Sequence, residues 1–249
     1  MPCLRIEAMS ETAVQHRFAF VPAPEALPAL DGEHAHVWSA SLTPDTDQRA
    51  HIEACVPPAE RQAVVGWKST KRRHEYICTR GLLRHLLGRY LGEPPQAIAL
   101  ARTPFGKPTL VSEDSRIQFS VSHSHGCALF AFARERPVGV DVEYMRRDVP
   151  IDAIARRFFA PAEAAHLAAL PVNVKTRTFF EAWTQREACL KALGKPPHNG
   201  SIERVLSPRY ATQTSEDGGM VVVRPAPAEG YIGALAMMGM QVVHCWRWA

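Results

Sequence analysis

Hydrophobic and polar positions first fall into a clear period at residues 35–40, where Ala35, Val37 and Ser39 alternate with His36, Trp38 and Ala40, as a strand requires. Upstream, residues 1–33 are rich in Pro, Ala and Glu with weak periodicity, and are expected to form a loose arm. Pro57 and Pro58 open a short stretch with Glu60 in its first turn. A longer helix is predicted over 71–90, with Tyr76, Leu83, Leu86, Leu87 and Tyr90 as its apolar stripe and Gly92 and Pro94–Pro95 as its stop. Strands are predicted at 97–102, 117–122 and 128–133, the last apolar on both faces, as in a strand buried from each side. At 138–143 the alternation is clean. Val138, Val140 and Val142 take one face, and Gly139, Asp141 and Glu143 take the other, so both carboxylates project the same way.

Beyond Pro150, helical patterns are expected at 151–159, 161–170 and 174–193, the last stopped by Gly194 and the Pro196–Pro197 pair. Three strands, 220–224, 231–237 and 241–246, are expected to close the chain as an antiparallel meander. Helices followed by strands in each half predict an α+β fold of two related halves meeting near residue 140. The expected division is an arm at 1–33, an N-terminal half at 34–140 and a C-terminal half at 141–249.

Composition narrows the function. A chain of 249 residues, nearly half of them apolar, buries a core without a staple. A net charge of +4, with no dense basic block and no aromatic platform, excludes a nucleic-acid binder but suits an acidic partner. Cysteines at 3, 55, 78, 127, 189 and 245 form no Cys-x-x-Cys pair, which argues against a zinc ribbon or a disulfide framework and for a reduced, cytoplasmic protein. The first stretch carries Arg5, Glu7 and Glu11 and no long apolar run, so neither a signal peptide nor a membrane span is expected.

On the 174–193 helix, Phe179, Trp183, Leu190 and Leu193 share an apolar face, with Glu187 and Lys191 along its edge. Alone, that pair reads as a surface i,i+4 ion pair worth about 0.2–0.5 kcal/mol. Arg186 falls on the apolar face, where a guanidinium must reach water along its stem or find an anion, either a structural carboxylate or a ligand phosphate. Two acids on one strand face are commonly a solvated edge. Together with Glu187, however, Asp141 and Glu143 provide three oxygen donors of the kind Mg²⁺ takes alongside phosphate. The stretch Phe119-Ser-Val-Ser-His-Ser-His-Gly126 offers hydroxyls, rings and a free turn, suited either to phosphate or to an ordinary Ser/His turn. A Ser–His nucleophile pair is disfavoured, since adjacent strand residues face opposite ways.

Four motifs follow one another in register: Phe105-Gly106-Lys107-Pro108, FSVSHS at 119–124, VGVDVE at 138–143 and WTQREACLK at 183–191. In this order and spacing the chain resembles the 4'-phosphopantetheinyl transferase superfamily, of the long, surfactin-synthetase-activating type, over most of its length after about residue 55. Arg80-Gly-Leu-Leu83 upstream and Arg156-Arg-Phe-Phe159 before Glu163 extend the likeness. One departure is Arg186, where the family usually has Lys.

The resemblance implies two pseudo-symmetric halves with coenzyme A in the cleft between them, in a chain active as a monomer. It implies that Asp141, Glu143 and Glu187 ligate Mg²⁺, or Mn²⁺ in its stead, on the CoA diphosphate, and that Lys191 contacts that diphosphate and assists the leaving group. It places Ser122 and His123 near the CoA 3'-phosphate, with Lys107, Pro108, Arg102 and Arg80 completing a cationic nucleotide pocket. Glu187, directly or through a bound water, is expected to take the proton of a serine on an apo acyl or peptidyl carrier protein, releasing 3',5'-ADP. Neither nucleic acid nor membrane is an expected partner. Two other readings use the same residues: a metal-dependent CoA phosphohydrolase with water as nucleophile, and a non-catalytic module that binds CoA or the carrier. The hydrolase would consume CoA without a carrier, and the module could dispense with the acids.

Overall fold

The computed structural model describes residues 17–112, 115–196, 220–239 and 242–248. Two sheets lie back to back between two long helices. The five-stranded sheet runs β2 (Val21–Pro22), β11 (Val242–Arg247), β3 (His34–Ser41), β7 (Cys127–Arg134), β6 (Ile117–Ser124). The four-stranded sheet runs β1 (Arg17–Ala19), β9 (Met220–Ala226), β10 (Tyr231–Met238), β8 (Val138–Tyr144), and β4 (Leu100–Arg102) pairs with β5 (Pro108–Leu110) as a separate hairpin.

Burial follows from strand alternation. Trp38, Phe130 and Phe132 point to one side of the five-stranded sheet and pack on Leu82, Leu83, Leu86 and Leu87 of α3 (Thr70–Leu91). Val37, Leu129 and Ala131 point to the other side and meet Val138, Val140, Val142, Leu235 and Met237 of the second sheet. The far face of that sheet is covered by α6 (Val172–Ala192) through small residues, Ala188, Ala192, Ala234 and Ala236. Small contacts bring helix and sheet close, and the closest point is Gly139. A Cβ there would lie 2.0 Å from the Ala188 carbonyl oxygen and 2.5 Å from the Ala192 nitrogen. Gly139 shares its strand face with Asp141 and Glu143, so the glycine that admits α6 also presents those acids to it.

The edge strands β6 and β8 are joined by a row of serine hydroxyls. Ser120 Oγ accepts from the Val140 N–H at 3.0 Å, and Ser124 Oγ accepts from the Tyr144 N–H at 3.2 Å. Ser122 Oγ donates to Asp141 Oδ1 at 2.7 Å, and Ser124 Oγ donates to Glu143 Oε2 at 2.8 Å. Residues two apart on a strand share a face, so Ser120 and Ser124 satisfy backbone N–H groups on the edge of β8 while Ser122 and Ser124 hold its two carboxylates.

The mixed α+β architecture is as the patterning predicts, and so are α3, α6, β6, β7, β8, α4 (Ile151–Phe158) and α5 (Pro161–Ala169). Several expectations differ. Residues 17–22, expected in a loose arm, supply β1 and β2, which pair in parallel with β9 and β11; residues 1–16 lie outside the described set. The C-terminal strands do not form a meander. Only β9 and β10 are antiparallel neighbours, while β11 crosses to the first sheet and pairs in parallel with β3, where Cys245 and Trp246 find cores on both faces. A boundary at 140/141 falls inside β8. Leu193, expected on the apolar face of α6, caps a helix that ends at Ala192 and is 40% exposed.

Helix α1 (Thr46–Ala54) has no counterpart in the sequence reading. It starts in a capping box, with Asp45 accepting from the Gln48 N–H at 2.8 Å and the Gln48 side chain accepting from the Asp45 N–H at 3.3 Å. The short α2 (Pro58–Gln62) begins at its prolines. Among the described residues no helix is long and apolar enough to cross a membrane, and the described cysteines are free and buried.

Gly139→Ala is expected to destabilise the chain by about 1–3 kcal/mol in urea denaturation, because the methyl group meets backbone that cannot rotate away. Gly66→Ala, with open space around its Cβ position, is the control and should change stability by less than about 1 kcal/mol.

Candidate active site

The site grows from one contact between α6 and β8. Lys191 crosses from the helix to the strand, donating from Nζ to Asp141 Oδ1 at 2.7 Å and to the Val140 carbonyl at 3.1 Å. Its partner is thus a carboxylate on another element and not Glu187 one turn back, which sets aside the reading of Glu187 and Lys191 as a surface helix pair. Asp141 is 5% exposed, and its Oδ1 accepts from both Lys191 and Ser122. Its Oδ2 and Glu187 Oε1 are buried acceptors without a donor.

Lys191 pairs with Asp141, and its charge also reaches Glu143 and Glu187. Burial, and then the Asp141 charge, push the Glu187 carboxyl up to about 7, an effect that Lys191 and Arg186 only partly offset. Burial also raises Glu143, against the Ser124 hydrogen bond, and Asp141 adds to the rise. An arrangement with orphaned carboxylate oxygens and too little positive charge is suited to a hard divalent cation. Among the described residues, the donor oxygens of the three acids do not all fall within 4.8 Å of one another, wider than the roughly 4.2 Å that two oxygens on one Mg²⁺ can span, so a shared ion requires these side chains to close in.

A small cavity of about 230 Å³ beside the acids is lined by Glu187, Lys191, Lys195, Ser120 and the tip of the β4–β5 hairpin, Thr103 to Pro108. Gly106 turns that tip with φ +83°, and Arg102 Nη1 donates to the Gly106 carbonyl at 2.9 Å. Lys107 Nζ donates to the carbonyls of Val138 at 3.1 Å and Lys191 at 2.9 Å, tying the hairpin to β8 and α6. Burial, with Lys191 nearby, pulls its ammonium down to about 8.

Next to it, sharing Pro108 and Val121, lies a larger cavity of about 450 Å³ lined by Arg72, Arg80, Arg102 and His123 together with Trp67, Glu75 and Tyr76. Arg80 pairs there with Glu60, which also holds Arg84 at 2.9 Å and accepts from the Tyr76 hydroxyl at 3.1 Å. Burial lowers the His123 imidazole below its usual range, against the pull of Glu75.

The sequence-predicted residues thus gather in two adjoining places. Asp141, Glu143, Glu187, Lys191 and Lys107 stand where β8, α6 and the hairpin meet, while Arg80, Arg102 and His123 line the larger cavity, and Pro108 borders both cavities. Ser122, paired in the sequence reading with His123, faces Asp141 instead, because neighbours on a strand point to opposite sides. Sequence reasoning missed Arg72, which shares α3 with Arg80; Ser120 and Ser124 were noted only as hydroxyls suited to phosphate or an ordinary turn, and instead bond β8 from the Ser122 face of β6. Arg186 is 2% exposed, and its Nε and Nη2 have no hydrogen-bond partner; burial lowers its pKa against the pull of Glu187 and Glu163.

A family model described as "4'-phosphopantetheinyl transferase, N-terminal" matches residues 40–134, and one described as "4'-phosphopantetheinyl transferase superfamily" matches residues 137–203. Between them they take in α3, the hairpin, the serine row, β8 and α6. The chain is 31% identical over 229 residues to the 4'-phosphopantetheinyl transferase HetI of Nostoc sp., covering 91% of this chain and 95% of that protein. It is 29% identical over 185 residues to the 4'-phosphopantetheinyl transferase gsp of Aneurinibacillus migulanus, covering 72% and 75%. To the 4'-phosphopantetheinyl transferase Sfp of Bacillus subtilis it is 26% identical over 150 residues, covering 60% and 65%. The chain belongs to the 4'-phosphopantetheinyl transferase superfamily, a class of transferase enzymes.

The raised Glu187 has a consequence for folding. A carboxyl that holds its proton more tightly in the fold stabilises the protein below the ordinary value of 4.5, and that contribution is lost as pH rises towards about 7. With a chelator present, wild-type stability should fall across that interval in urea titrations, and Glu187→Gln should flatten the fall.

Proposed function

We propose that the chain transfers the 4'-phosphopantetheine group of coenzyme A to a serine of an apo acyl or peptidyl carrier protein, releasing 3',5'-ADP. The observation that carries this reading is the seating of Glu187 and Lys191 across Asp141 and Glu143, beside a cavity edged by Arg72, Arg80, Arg102 and His123. A diphosphate needs compensated charge and a nucleotide monophosphate needs cationic donors, and the two requirements are met side by side.

In this reading Asp141, Glu143 and Glu187 would hold Mg²⁺, or Mn²⁺. When bound, the cation neutralises negative charge on the phosphates. Lys191 turns its ammonium to a diphosphate oxygen and steadies the charge on the departing ADP. Glu187, directly or through a bound water, takes the proton of the carrier serine. The serine oxygen then bonds to the β-phosphorus of CoA while the bond from that phosphorus to the bridging oxygen breaks. Lys107, held by two carbonyls, fixes the hairpin against the reacting groups. Arg72, Arg80, Arg102 and His123 receive the nucleotide phosphate, and Trp67, 43% exposed at the rim, offers a face to the base.

Residues 34–140 bring the cationic cavity and residues 141–249 all three acids of the cluster, so one chain carries both parts and works as a monomer. The reduced thiols fit a cytoplasmic setting.

Incubation with CoA, Mg²⁺ and an apo carrier should add the mass of one phosphopantetheine arm to the carrier. CoA breakdown without any carrier would instead mark a hydrolase. Asp141→Ala should lower the transfer rate by at least about 10²-fold, since it removes the residue that Lys191 and Ser122 both engage. Arg102→Ala should mainly raise the KM for CoA and leave kcat within about threefold. Normal turnover by the Asp141 variant would show the centre to be misplaced.

A further inference from the structure

A second cluster of ligating side chains lies on the far side of α3, where α1 packs against it. His51 and Cys55 stand one turn apart at the end of α1, and His85 stands one turn beyond Gly81 on α3. The helices touch at Gly81, where a Cβ would fall 2.3 Å from the Ile52 carbonyl oxygen, so backbone contact fixes the distance between the two histidine-bearing turns. One donor atom from each of His51, Cys55 and His85 lies within 4.8 Å of the other two, and no other His, Cys, Asp or Glu trio among the described residues is drawn as close.

Nε2 of His51 and Nδ1 of His85 are 3.1 Å apart, with the rings near perpendicular at 77°. Two imidazole nitrogens bound at about 2.0–2.1 Å to one tetrahedral ion are separated by roughly 3.4 Å, so the observed spacing needs only a small opening to admit a metal. Cys55 Sγ sits over the same turn, 3.3 Å from the His51 carbonyl oxygen. Cys55 is buried and His85 half-buried, with Trp248 packed edge-on at 6.2 Å, while His51 is exposed. That arrangement gives a walled donor set with one open side.

We propose that His51, Cys55 and His85 form a site for a borderline transition-metal ion, represented by Zn²⁺, with three protein ligands and a fourth position open to solvent. Nitrogen and sulfur donors select such ions over Mg²⁺, whereas the oxygen cluster at β8 and α6 does the reverse, so the two centres sort metals by ligand type. Binding uses neutral imidazoles and a thiolate, and the thiol proton passes to solvent. Burial, with the neighbouring His51 and Arg89, lowers the His85 imidazole to about 4 and favours the neutral ligand, while burial raises the Cys55 thiol, so the ion must displace a tightly held proton there. The ion would clasp α1 to the helix that carries Arg72 and Arg80.

The test is Co²⁺ titration of the chelator-stripped full chain in excess Mg²⁺, read by absorption. One Co²⁺ per chain should give visible ligand-field bands and a near-ultraviolet thiolate charge-transfer band, both removed by Zn²⁺. Cys55→Ser should abolish the charge-transfer band, His51→Ala should weaken binding at least tenfold, and Asp141→Ala should leave both signals unchanged. Because His51 is exposed, its variant should unfold in urea, with chelator present, at the wild-type midpoint. Absence of the charge-transfer band, its survival in Cys55→Ser, or undiminished binding by His51→Ala would overturn the proposal and leave two histidines sharing a proton.

Discussion

The structure depends on one strand face being held from two directions. Gly139, Asp141 and Glu143 alternate on β8; α6 presses on the glycine, and the serine row of β6 grips the strand edge. With any side chain at Gly139 the helix would stand off, and Lys191 would no longer span to Asp141 at 2.7 Å. Without the serines, the buried edge of β8 would carry unpaired N–H groups, each costing about 1–3 kcal/mol. The same contacts that join the two sheets to their helix therefore also assemble the chemistry.

Electrostatics favours a functional over a structural reading of that cluster. A surface i,i+4 pair is worth a few tenths of a kcal/mol. Unit charges 4 Å apart interact by about 4 kcal/mol at an effective dielectric of 20, so acids crowded in a buried site oppose one another strongly. Burial first, and then repulsion from Asp141, raise Glu187 and Glu143, and buried oxygens of Asp141 and Glu187 are left without donors. Perturbed, unpaired carboxylates in a buried cluster are a mark of functional sites more than of structural ion pairs, which supports the proposed cation-holding role.

The parts of this arrangement that were legible in the sequence are those set by local period. Alternation over 138–143 gave the shared face of Asp141 and Glu143, and the helical wheel put Glu187 and Lys191 on one edge. Non-local pairings were not legible. Nothing in the local pattern of 242–247 tells that this strand leaves β10 and lies parallel to β3, since alternation specifies a face and not a neighbour. The commitments of Arg80 to Glu60 and of Lys107 to the Val138 and Lys191 carbonyls are likewise made across distant segments. Helix α1 was overlooked although Asp45 and Gln48 carry the capping-box spacing, because its apolar content is slight and only Ile52 is buried. His51 and Cys55 likewise show nothing by themselves, and become a cluster only when α3 delivers His85.

In the proposed function, side chains from β8 and α6 act as one cation-holding centre. The most direct measurement is electron paramagnetic resonance of Mn²⁺, which favours oxygen ligands, titrated into the protein in the presence of CoA. Asp141→Asn on the strand and Glu187→Gln on the helix should each weaken Mn²⁺ binding by at least about tenfold. Full-affinity binding in either variant would contradict the proposal.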